Sequence, residues 1–250
     1  MITSGLTYAL IGFSSATAFL SGIAGMGGGM LLMGAIIWIL PIGISMIIHG
    51  AVQAVSNGYR AFLHRQHIML SILKPYFLGA AVTFVIFSAL AITLTKAYIF
   101  ILLGLAPLLT LLPKRLFNVN ILDTRDAVLC GMLVTILQLT AGVSGGVLDI
   151  FYLNRDLTRY QVIATKAFTQ TVGHITKLFY FGFVLGYGTL DAFNKNVWIL
   201  FIGMIVMTFI GTRTSKTALK HIKDHHFFTW TRAFIVIFGF VYIARGIALL

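Results

Sequence analysis

Acidic side chains are scarce in this chain of 250 residues: glutamate is absent, and the six acids are all aspartates. Cysteine occurs once, at position 130, so no disulfide can form within the chain. No Gly-x-x-x-x-Gly-Lys motif occurs, which excludes a P-loop of the chain's own for ATP-driven transport. No cysteine and histidine cluster has the spacing of a metal site. We therefore expect neither a metal nor a cofactor.

Charged residues of either sign make up only 10% of the chain, whereas 59% are hydrophobic and the mean hydropathy is +0.97. Several apolar runs have the length of about 20 residues that a helix needs to cross a bilayer. The 18 Lys and Arg residues lie mostly in short connections between these runs, which fits the positive-inside rule better than nucleic-acid binding. The composition predicts an all-α, multi-pass protein of the cell's inner (plasma) membrane, in contact with lipid and not with nucleic acid.

A glycine-rich stretch occurs twice within apolar sequence. Residues 25–31 read Gly-Met-Gly-Gly-Gly-Met-Leu, and residues 142–148 read Gly-Val-Ser-Gly-Gly-Val-Leu. The same shift of 117 positions that superposes these stretches also places Gln53 on Gln170 without a gap. Several matches at one offset indicate an internal duplication.

The duplication predicts two transmembrane repeats, residues 1–112 and 127–250, joined by a cytoplasmic linker at 113–126. Each repeat is expected to hold a glycine-broken re-entrant hairpin followed by three transmembrane helices. If the basic connections lie in the cytoplasm, the two repeats have opposite orientation, as in many secondary transporters. Whether each broken segment turns back or crosses fully stays open. The expected spans after the two hairpins are 42–63, 75–95, 97–112, 160–185, 196–211 and 228–249.

Each glycine stretch is predicted to open a new helical segment. A helix N-terminus has free N–H groups and a positive dipole end, both of which favour an anion. The alternative is that the glycines only allow close packing of helices. Because the stretch is repeated, we favour binding, with these substrate-binding residues: Gly27, Gly28, Gly29, Ser144, Gly145 and Gly146.

Polar residues share one face of the helix that follows each stretch. Such a stripe in a membrane helix is costly and usually faces a cavity. Further substrate-binding candidates are Gln53, Gln170, His174 and Lys177. Arg60, which lies beside a basic loop, is instead expected to extend to the membrane surface. Candidates for ion coupling are Asp149 and His49, although Asp149 could also pair with Lys166 or Arg155, and a histidine could simply be packed and hydrogen-bonded.

The first glycine stretch opens a short apolar segment, which is followed by Pro41 and by a helix that ends in a basic turn. This arrangement resembles the TauE/SafE sulfite exporter family, also called the toluene-sulfonate uptake permease family. The resemblance covers nearly the whole chain. It implies transport of small sulfur oxyanions or organosulfonates, of the sulfite, sulfoacetate or thiosulfate type, driven by an ion gradient. The second stretch departs from the family pattern, since Ser144 replaces a glycine, Asp149 replaces an apolar residue and no proline follows.

Three functions therefore compete. The first is a secondary transporter, not an enzyme, that works by alternating access around the two half-helix N-termini. The second is a passive anion channel, which would share the same site chemistry. The third is a rhomboid-like intramembrane protease in which Ser144 is the nucleophile and His174 the base, and we disfavour it because the duplication already explains the glycines. The exact anion, the direction of transport, the coupling ion and a homo-oligomeric state stay open.

Overall fold

The computed structural model describes residues 3–24, 27–109, 119–152, 157–189, 193–218 and 224–250. These residues form ten α-helices and no strand. A 3₁₀ turn at Arg65–His67 and a π-helical turn at Tyr180–Val184 extend two of the helices. The helices are α1 (Ser4–Ala24), α2 (Gly28–Ile39), α3 (Ile42–Leu63), α4 (Leu70–Leu90), α5 (Lys96–Leu108), α6 (Thr124–Thr140), α7 (Gly145–Phe151), α8 (Arg159–Phe179), α9 (Lys195–Ala218) and α10 (Asp224–Ile247).

Helices α2 and α7 both begin within the glycine-rich stretches. Gly27 precedes α2 with a φ of 84°, a left-handed conformation that glycine adopts without a steric penalty. Helix α7 begins at Gly145, which is 117 residues after the first residue of α2. Helix α8 likewise begins 117 residues after α3. The shift that superposes the two glycine stretches therefore also superposes the starts of these two pairs of helices.

Helices α3 and α8 pack against each other at the centre of the molecule and run antiparallel. Gly50 in α3 lies against Lys177 and Leu178 near the end of α8, whereas Gly58, further along α3, lies against Thr171. Each helix has a clear start: Pro41 precedes α3, and a capping box of Thr158 and Gln161 begins α8. The two helices carry many of the buried polar side chains.

The outer helices pack in pairs through small residues. Helix α4 contacts α6, where a Cβ at Gly79 would collide with the Val128 carbonyl oxygen. Helix α5 contacts α10, and these two helices are antiparallel because Gly104 meets Gly239 while Gly246 meets the opposite end of α5. Helix α1 runs along α9. Such close backbone contact through glycine is typical of helices that associate in lipid.

Within the described residues, three helices are long and apolar enough to cross a membrane: Ser4–Ile23, Leu70–Leu90 and Lys195–Ala218. Large apolar side chains are exposed along them, for example Val85 on α4 and Ile202 on α9. Exposed apolar surface of this kind requires a lipid environment. Helices α3 and α8 have a comparable length, but their polar faces are buried in the protein. The fold is that of a helical membrane protein.

Several expected boundaries were wrong. Helix α4 begins at Leu70 rather than at 75, because Pro75 near its start removes only one backbone hydrogen bond. Helix α9 continues to Ala218 and includes Lys216, expected in a loop, since a basic residue in the last turn complements the helix dipole. Helix α6 begins at Thr124, within the expected linker 113–126. Residues 110–118 of that region and Gly25 lie outside the described residues.

Candidate anion-binding site

A buried cavity of about 80 Å³ lies where the starts of α2 and α7 approach α3 and α8. One water molecule needs roughly 10–15 Å³ of such a cavity, so the volume suits a small ion with a few water molecules. Ten of the twelve site residues predicted from the sequence line it: Gly27, Gly29, His49, Gln53, Ser144, Gly145, Gly146, Asp149, Gln170 and His174. The other two, Gly28 and Lys177, do not. Their roles in binding and coupling stay predictions.

The two helix starts present backbone donors to the cavity. Neither start is capped by a side chain, and in α2 the first intrahelical acceptor, Gly27 O, is 3.0 Å from Leu31 N. The N–H groups of the first three residues of a helix have no partner within it. Gly28 itself packs against the Thr17 carbonyl of α1, which leaves Gly29 as the α2 residue nearest the cavity. With seven residues, α7 has a weaker dipole than α2.

A glutamine amide lies beside each helix start. A Cβ placed on Gly29 would be 3.3 Å from Gln53 Oε1, and one placed on Gly145 would be 3.3 Å from Gln170 Nε2. Both glutamines line the cavity, and Gln53 is almost completely buried. The glycines thus allow the amides to approach the backbone donors, so that side-chain and backbone hydrogen bonds can reach one ligand.

Lys177 forms a bridge between the two glycine stretches. Its Nζ donates to Gly142 O at 2.9 Å and lies 2.8 Å from His49 Nδ1. The other ring nitrogen, His49 Nε2, is 2.8 Å from Gly29 O. Because Nδ1 accepts from the lysine, the assigned neutral tautomer carries its proton on Nε2 and donates to Gly29. Lys177 is fully buried, and its hydrogen bonds are made to protein and not directed into the cavity.

Gln138 of α6 stands between the serine and the histidine that could have formed a protease pair. Ser144 Oγ donates to Gln138 Oε1 at 3.0 Å, and Gln138 Nε2 is 2.6 Å from His174 Nδ1. A general base must hydrogen-bond the nucleophile whose proton it removes. In this arrangement the serine proton is donated to the glutamine amide, which cannot act as a base. The contacts orient Ser144 and His174 at the cavity wall.

Asp149 forms an ion pair with Lys166 of α8, one of the two partners considered from the sequence. Each side chain is 12% exposed, and Asp149 lines the cavity. Its second carboxylate oxygen, Oδ2, has no hydrogen-bond partner among the described residues. The carboxylate is therefore close to the cavity and already neutralised by a lysine.

The expectation for Arg60 was wrong. It is only 9% exposed and lines the cavity, and α9 packs against this end of α3, where Ser56 contacts Thr212 and Tyr59 contacts Phe209. Sequence reasoning also missed Ser21 and Gln138 as residues of the site, and it placed Asn57 beside the polar face of α3 without proposing it as a site residue. The sequence did contain a signal for Ser21 and Gln138. The shift of 117 residues superposes them, so both are polar residues at equivalent positions of apolar spans.

Positive charge continues from the site toward the end of α3. The pKa of His64, just beyond that helix, is lowered by partial burial and by the positive charges of Lys216, His67 and Arg60. These groups lie close enough to one another to oppose a further positive charge. A concentration of positive charge beside a cavity attracts anions and repels cations.

Fold and site together define a helical membrane protein with a buried, positively charged cavity. The chain matches the family described as sulfite exporter TauE/SafE over residues 8–245, and it belongs to that family. This membership confirms the resemblance seen in the sequence, and it makes the protein a member of a family of membrane transporters of sulfur compounds. No curated protein and no solved structure matches the chain.

Proposed function

We propose that the protein is a secondary transporter of small sulfur oxyanions or organosulfonates, of the sulfite, sulfoacetate or thiosulfate type, in the inner (plasma) membrane. The observation that carries this proposal is the excess of positive charge around the cavity. Arg60 and Lys177 are buried there and Lys166 is 12% exposed, against the single carboxylate of Asp149 among the described residues. Buried charges need a partner of opposite sign. An anionic substrate supplies it, and the backbone and glutamine donors complete its hydrogen bonds.

We further propose that the two repeats are inverted and that transport proceeds by alternating access. Three observations support this. The helices of two corresponding pairs, α2/α7 and α3/α8, begin 117 residues apart, and the corresponding pairs α3/α8 and α5/α10 are antiparallel, as inversion requires. The start of α2 packs on Thr17, before the end of α1, so the chain turns back at the first glycine stretch. Rocking of one repeat against the other would expose the cavity to each side in turn.

Asp149 and His49 are the proposed coupling groups. Asp149 lines the cavity next to its ion-pair partner, and protonation of its carboxylate would release Lys166. A proton gradient could in this way change the net charge around the substrate. The lipid bilayer and the anion are the partners that this mechanism requires.

The test is flux of labelled sulfite and of methanesulfonate into proteoliposomes, with and without a proton gradient. The double variant Gln53→Ala/Gln170→Ala removes two neutral hydrogen bonds and should reduce saturable uptake roughly 5- to 100-fold. Gln66→Ala is the matched control, since Gln66 is exposed and its side-chain amide hydrogen-bonds to His67 within the 3₁₀ turn. Flux that does not saturate and ignores the gradient would favour a channel. Absence of flux of both anions from wild-type protein would contradict the substrate class.

A further inference from the structure

Arg60 has an unused pair of donors. Its Nε and Nη2 atoms are buried and have no hydrogen-bond partner among the described residues. These two nitrogens lie on the same edge of the planar guanidinium, and their N–H bonds point in nearly the same direction. This edge matches the spacing of two oxygen atoms on one central atom, as in a carboxylate, phosphate or sulfonate.

The side chain faces a cavity with which such a ligand is compatible. Arg60 is 9% exposed and lines the cavity together with Gln53 and Asn57 from the preceding turns of α3. Asn57 Nδ2 donates to the Gln53 backbone carbonyl at 3.0 Å, so its amino group is already used. Arg60 is thus the group on this wall that combines positive charge with free donors.

Among the described residues, no carboxylate forms an ion pair with Arg60. The nearby carboxylate, Asp149, is held by Lys166, and the positive charge of Lys166 acts unfavourably on that of Arg60. Burying an unpaired guanidinium is unfavourable, and hydrogen bonding to an anion offsets that cost. The corresponding cation of the second repeat, Lys177, in contrast makes two hydrogen bonds within the protein.

We propose that Arg60 binds the transported anion directly, with Nε–H and Nη2–H each donating to one oxygen of the same sulfur centre. This inference rests on the proposed function and adds a selectivity to it. This binding mode prefers anions that have at least two oxygens on one central atom over halides. A halide is a single atom, so both donors would have to share one acceptor. Methanesulfonate is therefore bound in the same way as sulfite.

The first experiment uses the wild-type protein in detergent and measures displacement of labelled sulfite at constant ionic strength. The concentration of methanesulfonate that displaces half of the sulfite should be at least roughly tenfold lower than that of chloride. Chloride cannot form the pair of charge-assisted hydrogen bonds that two oxygens accept from the guanidinium. Equal competition by the two anions would overturn the proposal. This comparison needs no variant and so does not depend on the folding of one.

The second experiment compares Arg60→Lys with Arg65→Lys. Lysine keeps the charge but loses the paired donors, so Arg60→Lys should bind sulfite roughly 10- to 100-fold more weakly and lose most of its preference over chloride. Arg65 is exposed, donates to the Phe62 carbonyl and is the matched control, which should bind as wild type does. Unchanged sulfite affinity in Arg60→Lys would overturn the inference and leave the transporter proposal standing. A wild-type protein that binds no oxyanion would overturn both.

Discussion

The bridge from Lys177 through His49 predicts non-additive effects on stability. Lys177→Met removes the Lys177 donor from Gly142 O and from His49 Nδ1. His49→Leu removes the side-chain donor from Gly29 O and leaves Lys177 Nζ with one acceptor fewer. Each single variant breaks the bond between the two side chains. The double variant breaks that bond only once, so its cost should be smaller than the sum of the single costs.

The size of the difference follows from the bond that the two variants share. A buried hydrogen bond to a charged group contributes about 1.5–3 kcal/mol, and this is the expected coupling energy. For a protein of this size, one kcal/mol shifts the melting temperature by about 2–4 °C. The double variant should therefore melt about 3–12 °C above the value expected from simple addition of the two single effects.

The assay is the loss of the folded peak in fluorescence-detected gel filtration after heating in mild detergent. Lys177→Met combined with Thr7→Val is the control pair, because the Thr7 hydroxyl donates to the Thr3 carbonyl of its own chain segment and shares no partner with Lys177. That pair should be additive. If the pair of Lys177→Met and His49→Leu is also additive within about 0.5 kcal/mol, the two side chains are not coupled and the bridge is refuted.

Two further predictions concern the first glycine stretch and the acid of the cavity. Gly28→Ala should reduce the yield of folded protein, because the added Cβ would collide with the Thr17 carbonyl. Gly29→Ala displaces only the Gln53 amide, so the variant should keep the fold while its sulfite uptake falls about 2- to 10-fold. Gel filtration and uptake on both variants test this, and equal yields would contradict it. Asp149→Asn should abolish the stimulation of uptake by a proton gradient, since an amide cannot take up the proton; gradient-driven uptake that persists would exclude the carboxylate as the coupling group.

The sequence predicted well those features that depend on local pattern. Apolar run lengths located most of the helices, and the glycine stretches located the starts of α2 and α7. The cavity-lining glutamines were found because a polar residue within an apolar span has few acceptable positions other than a protein-lined cavity. The shift of 117 residues strengthened this reasoning, since the same residue type recurs at 53 and 170.

Contacts between distant helices could not be predicted in the same way. Arg60 was assigned to the membrane surface because it lies one turn from the end of its helix, and only the packing of neighbouring segments shows that it is buried. Gln138 was not singled out because it lies on α6, before the second glycine stretch, and not on the helix that follows the stretch and carries the repeated polar face. The role of Lys177 depends on its distances to His49 and Gly142, which are 128 and 35 residues away in sequence. Spacing along one helix carries no information about such partners.

One difference between the repeats explains why their two cations have different environments. Arg60 and Lys177 are superposed by the shift of 117 residues, and so are His49 and Lys166. Histidine at 49 offers a neutral ring nitrogen, so Lys177 gains an acceptor and becomes part of the structure. Lys166 occupies the equivalent position of the second repeat, and its ammonium group can donate hydrogen bonds but cannot accept one. Lys166 forms an ion pair with Asp149 instead. In the part of the chain that the structure describes, Nε and Nη2 of Arg60 are consequently without a partner, and this exchange of an acceptor for a cation is what leaves these donors free for an anion.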